Sequence, residues 1–307
     1  MLICPVLGIQ QEQEQAPPPD ETQAPQPVKP PRVVGQPQSQ EEWDAWQAID
    51  QAAMPEKRDL ALAFLERFPE SGLTANVNYL LARYYDQIGD VQSYIKHAEA
   101  TLVDLPDTVD FLARLAFFYS EQRKTSVAMK YANRVLEIAD TLEKPDSVTA
   151  TDFVTQRSRL KAEANYALGR SSLNSQNWVK SAEYLKEALK HDPKHDYACF
   201  RLALAERNLN HAGEALLAYA RAVAIGSVAA GPSQAELEKL LQIVKDNMPD
   251  SEWASKTPEE LVQMAAQQMQ EDTARLEDEL ALQAQEIEAA NTGLGIDLPP
   301  PPPPPGR

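Results

Sequence analysis

Cysteine is nearly absent from this 307-residue chain, basic charge is in deficit, and glycine contributes only 11 residues. Each shortage excludes something. Two cysteines, Cys4 and Cys199, far apart in the chain, cannot supply a disulfide framework. Cys199 sits among Tyr197, Phe200 and Leu202, which reads as a buried free thiol rather than a nucleophile. With 29 Lys and Arg against 46 Asp and Glu, the net charge of -17 argues against nucleic acid and against an anionic membrane surface, because both draw on a surplus of cations. No apolar run approaches the ~18 residues a transmembrane helix needs. There is no P-loop, no glycine-rich dinucleotide turn, no His-Glu-x-x-His and no Gly-x-Ser-x-Gly. His191 and His195 have the spacing of a metal pair, but Pro193 between them breaks the helix that would aim both at one ion. The acidic cluster Glu277, Asp278 and Glu279 has no sign of a pocket that would perturb its acidity. No catalytic site, cofactor or metal is expected, and the chain reads as a non-enzyme.

What is present is a repeat. Stretches beginning at Ala75, Val109, Ala162 and Asp196 share one hydrophobic pattern in a 34-residue register. The seventh position is Leu81, Leu115, Leu168 and Leu202; the eighth is small throughout, Ala82, Ala116, Gly169 and Ala203, as close approach of two helices requires. On the second helix, Ile95, Met129, Ala182 and Leu216 stand one heptad before Leu102, Leu136, Leu189 and Val223, on one face. Pro106 and Pro193 fall where that helix must stop. Hairpins of this kind cannot bury their apolar faces alone and must stack into a solenoid. The expected fold is all-α, a right-handed solenoid of helical hairpins.

These residues resemble the tetratricopeptide repeats. In residues 162–195, Leu168 and Gly169, Ser181, Leu185, Ala188, and Asp192 with Pro193 fall where that family's consensus places Leu-Gly, a small residue, an aromatic or Leu, Ala and Asp-Pro. Residues 196–229 follow with Leu202, Ala203, Ala215, Tyr219 and Ala222, although Ser227 replaces the proline. Residues 75–108 depart at Tyr94 and Ala98, where small and large are exchanged, and residues 109–142 complete the set. The resemblance covers roughly half of the chain and implies a module that holds protein or peptide partners. Wording such as Phe64, Leu65, Glu66, Arg67, Phe68, Pro69 is similar to that of repeat proteins in bacterial envelopes.

The flanks complete the expected organisation. Residues 41–74, with Trp43, Trp46, Phe64 and Phe68, read as a degenerate amino-terminal repeat. Residues 143–161 are an insertion that lengthens the next helix, either a projecting contact surface or a tolerated loop. A Ser-x-x-Glu box at Ser233 and Glu236 is expected to open a capping helix over 232–248. Thr257, Pro258 and Glu260 start an acidic helix over 257–290, read as free or loosely docked, with oligomerisation through it as the alternative. Residues 10–40, rich in Gln and Pro, and 291–307, with seven consecutive prolines, are expected to be disordered, and the proline run is read as a spacer or tail. Residues 1–9 are apolar and resemble the end of a signal peptide, so export to a periplasmic compartment is expected, with the cytoplasm as the alternative.

In the resembling family the first helices line the concave surface. The outward positions there give a candidate groove of Asn76, Tyr79, Arg83, Phe117, Tyr166, Arg170, Tyr197 and Arg207. Tyr and Arg are frequent interface anchors. The expected ligand is an extended peptide or partner helix of some acidic character, unless these aromatics serve only to pack one hairpin on the next. A chaperone-type two-carboxylate clamp is not carried over, because Lys is missing from the position it uses.

Overall fold

A computed structural model describes residues 32–292, and the apolar segment 1–9, most of the Gln/Pro-rich stretch and the proline run lie outside them. Every long element among the described residues is a helix. The hairpins are α1 (Gln40–Gln51) with α2 (Glu56–Arg67), α3 (Thr74–Gln87) with α4 (Val91–Asp104), α5 (Val109–Glu121) with α6 (Thr125–Ala139), α7 (Ala150–Asn174) with α8 (Trp178–His191), and α9 (Asp196–Asn208) with α10 (Ala212–Ile225). They are followed by α11 (Ala230–Asn247), a 3-10 turn (Glu252–Ser255) and α12 (Pro258–Thr292).

The 34-residue register is visible in the turn within each repeat. Gly89, Arg123, Gln176 and Asn210 all take left-handed backbone, with φ of 74°, 59°, 58° and 61°. One residue further on, the amides of Asp90, Lys124, Asn177 and His211 donate to the carbonyls of Tyr85, Tyr119, Ser172 and Glu206, each at 2.9 Å. This six-to-one bond closes the first helix as a Schellman turn and reverses the chain into the second helix. The small eighth position is enforced where Gly169 meets α8: a Cβ there would lie 2.6 Å from Leu185 Cγ. Ser181 Oγ, fully buried, donates to the Gly169 carbonyl at 2.9 Å and ties the two helices at that point.

Three flanking segments differ from the sequence expectation. Residues 32–39, expected in the disordered stretch, are tied to the first repeats by hydrogen bonds: the Gly35 amide donates to the Gly72 carbonyl at 2.8 Å, and Arg32 reaches Thr74 and Asp104. Gly72 is required there, since a Cβ would lie 2.0 Å from the Val33 carbonyl oxygen. The buried Glu42 carboxylate accepts from the Gln38 amide at 2.8 Å and from Ser71 Oγ at 2.7 Å, which fastens this strap to the first hairpin.

The capping helix begins at Ala230 rather than at the Ser233 box, so Ser233 is a buried interior residue and caps nothing. Leu237, Leu240, Leu241 and Val244 cover the last repeat, joined by Leu261 and Ala265 of α12.

Helix α12, read from sequence as free or loosely docked, lies along the chain's own repeats. Its start follows the expected box: the Thr257 amide donates to Glu260 Oε2 at 2.8 Å and the Glu260 amide to Thr257 Oγ1 at 3.2 Å. It then crosses α10, where the Arg221 guanidinium donates to Asp272 at 2.7 Å and holds the Pro193 carbonyl at 2.8 and 3.0 Å. Near its end Ala284 is buried with Ala150, Phe153 and Val154 of α7, flanked by Leu280 and Ile287. Arg157 donates to Gln283 at 2.7 Å. The lengthened start of α7 therefore does not project freely; one side of it is covered by α12. Of the apolar positions in 257–290, Leu261, Ala265, Leu280 and Ile287 pack within the chain, whereas Met264 is 39% exposed.

Candidate interaction groove

The side chains expected to form one groove separate into two sets. Tyr166 is fully buried and Arg170 is 8% exposed, so neither stands on the surface. Both converge on Glu121 of α5: Tyr166 Oη donates at 2.7 Å and Arg170 Nε at 3.1 Å, while Arg201 of α9 stands 3.6 Å from the other carboxylate oxygen. Three repeats are clasped by one carboxylate. Tyr166 is also stacked between Phe117, with ring centres 5.7 Å apart, and His195, 4.8 Å apart. Burial and the neighbouring Glu121 raise the pKa of the Tyr166 phenol above its ordinary value, so it remains a donor. For Tyr166 and Arg170 the packing reading holds. Arg207 is paired with Glu236 of α11 at 2.6 Å, and Phe117 is half-buried.

Asn76, Tyr79 and Arg83 lie on α3 at a cleft beside α1, and Tyr79 stacks on Phe111 with ring centres 4.9 Å apart. Tyr197, 37% exposed, stands 6.4 Å from the Tyr166 ring.

A second cleft, of about 470 Å3, opens between α3, α5 and α7. Arg83 and Asp86 come from α3, Asp110 and Arg114 from α5, and Gln156, Arg159 and Glu163 from α7. Arg114 pairs with Asp86 at 3.0 Å and Gln156 donates to Asp110 at 3.3 Å, so four of the polar groups are already matched in two pairs. Arg83 and Arg159 are exposed and have no ion-pair partner among the described residues. Tyr94 closes the floor, buried against Phe111 and Phe118 with centres 5.8 and 5.5 Å away. It departs from the family consensus at that position, and the exchange puts an aromatic under the cleft.

The sequence reading placed Arg83 here but missed Arg114, Gln156 and Arg159. The signal was available in part: the insertion runs into Ala162 without Gly or Pro, so its polar residues continue the face of α7. Nothing in that pattern told which side α12 would cover.

Among the described residues, no cluster of His, Cys, Asp and Glu is arranged to hold a metal, and no helix is long and apolar enough to cross a membrane. Cys199 is fully buried and unpaired; burial pushes its thiol up to about 12, which makes it a poor nucleophile.

One family-model match falls on the repeat register. The tetratricopeptide repeat model matches residues 162–195. The crystal structure of MamA protein is 18% identical, aligned over 75% of this chain and 100% of that one, with a TM-score of 0.36. The crystal structure of PilW, a widely conserved type IV pilus biogenesis factor, is 17% identical over 70% of this chain and 97% of that one, with a TM-score of 0.39. No curated protein matches the sequence. Residues 162–195 match the tetratricopeptide repeat model, and they are set within a stack of helical hairpins.

Proposed function

We propose that this chain is a non-enzymatic scaffold or adaptor that holds an extended segment of a partner protein in the cleft between α3, α5 and α7. One observation carries the reading: Arg83 of α3 and Arg159 of the lengthened α7 line one cleft and have no ion-pair partner among the described residues, in a chain whose net charge is -17. Unpaired cations held in a concave site favour carboxylate-bearing partners, and the flanking Asp110 and Glu163 set the register in which such a segment lies. The lengthened α7 matters to this function because it supplies Gln156 and Arg159, the far wall.

Partner capture by the parent chain is compared with capture by Arg83→Glu, Arg159→Glu and, as a control on an exposed site of α6, Lys130→Glu. Loss of a partner in both arginine variants and its retention in the control supports the cleft. Equal capture by all four chains overturns it. An exported, envelope location belongs to the same proposal and rests only on the apolar residues 1–9, with cell fractionation as its test.

A further inference from the structure

We infer that the cleft beside α1 is a receptor for proline-rich chain, and that its occupant is this chain's own run of seven prolines, 299–305. This site shares only Arg83 with the cleft of the proposed function and does not depend on that reading.

The cleft has a volume of about 540 Å3 and is walled by Trp46, Met54, Tyr79, Tyr84 and Leu105. Met54, Tyr79 and Leu105 are 45%, 37% and 37% exposed, so this apolar surface is not covered by the folded repeats. The rings are held from behind: Tyr79 stacks on Phe111 at 4.9 Å, and Arg58 lies over the Tyr84 ring at 5.9 Å. Flat aromatic faces that cannot collapse onto one another are what a row of pyrrolidine rings packs against.

The polar rim agrees. A proline run has no backbone N–H and offers only carbonyl acceptors. The rim supplies Lys57, Asn76, Arg83 and Gln87 as donors, and no carboxylate among the described residues lines the cleft. A run of prolines also loses little conformational freedom on docking, because its backbone is already confined.

The run follows closely on α12 in the sequence. The proline run begins seven residues after Thr292, the end of α12, a connection that spans about 20 Å when extended. The closing turns of α12 rest on Phe153 and Val154 of α7. The next turn of α7 brings Gln156 and Arg159 to the first cleft, and Arg83 lines both clefts. The run itself adds about 22 Å of reach. A tail tethered in this way acts at about millimolar effective concentration.

The test uses the full chain and a variant in which 299–305 are replaced by alternating Gly and Ser, leaving the repeats untouched. Each is titrated calorimetrically with a synthetic heptaproline peptide. The replaced chain should bind the peptide saturably, and the full chain about tenfold more weakly, because its own tail competes. Tyr79→Ala in the replaced chain should weaken binding at least tenfold with helical circular dichroism retained; Met54→Lys, on the exposed rim, serves if that variant unfolds. Arg159→Glu, which touches only the other cleft, should leave peptide affinity unchanged. Absence of saturable binding by the replaced chain, or equal affinity for the two chains, overturns the inference. A full chain whose sedimentation mass doubles, and halves on replacement, overturns the intramolecular assignment.

Discussion

Removing the Glu121 carboxylate should loosen three repeats at once. In Glu121→Ala, Tyr166 Oη loses its 2.7 Å acceptor while fully buried, and Arg170, whose side chain is 10% exposed, keeps a charge with its 3.1 Å partner gone. Stranding a buried charge by deleting its partner costs about 3–5 kcal/mol. Glu121 is itself 33% exposed, so water replaces part of the interaction, and about 3 kcal/mol is expected. Glu121→Gln retains an acceptor for Tyr166 but no charge for Arg170 or Arg201, and should cost about half as much. Adding Arg170→Met to Glu121→Ala should recover most of the loss, because a buried cation is then no longer stranded. The assay is urea denaturation of the four chains, with amide hydrogen exchange to localise the change. Solenoids couple through nearest neighbours, so protection should fall at Leu115, Leu168 and Leu202 and be kept at Leu81. A loss below about 0.5 kcal/mol in Glu121→Ala, in the range of surface changes, would refute the clasp.

Three further outcomes follow from the same geometry. Gln176→Gly and Arg123→Gly, at φ of 58° and 59°, should each stabilise by about 0.5–1 kcal/mol in thermal melts, and Gly89→Ala should destabilise by a similar amount. Burial, reinforced by Lys96, lowers the His97 imidazole from 6.5 to about 4, and its Nδ1 lies 2.8 Å from Asn78 Oδ1. Because the folded value is the lower one, the unfolded chain binds the extra proton; His97 therefore contributes stability above pH 6.5 that is lost as pH falls to about 4, and His97→Gln should flatten that part of the denaturation profile. Gly169→Val should cost about 2–3 kcal/mol in urea denaturation, since its Cβ would meet Leu185 and force α7 from α8.

The repeats were legible because the same contact recurs. A small residue at the eighth position and a left-handed turn at the fifteenth are demanded by one helix pair after another, so four coupled positions report one geometry. The side that Tyr166 and Arg170 face was not legible. Periodicity puts them on the outer side of α7 relative to its own hairpin partner, but whether the neighbouring repeats cover that side depends on Glu121, 45 residues before Tyr166, and on Arg201 in the following repeat. Docking of α12 was obscured for a similar reason. Its apolar residues form two short patches, Leu261 with Ala265 for α10 and Leu280 with Ala284 for α7, and the polar stretch between them bridges rather than packs. Arg32 and Gly35 lie in a composition that reads as unstructured, and their order comes from a few specific bonds to residues 71–74 and 104.

The cleft between α3, α5 and α7 is tested most directly by site-specific photo-crosslinking in the native host. A photoreactive side chain is placed at Gln156, inside the cleft, and separately at Val228, 78% exposed and outside it. A discrete adduct is expected from position 156 that disappears with Arg83→Glu, and none from position 228. The same adduct from both positions, or an adduct at 156 indifferent to Arg83, would contradict it.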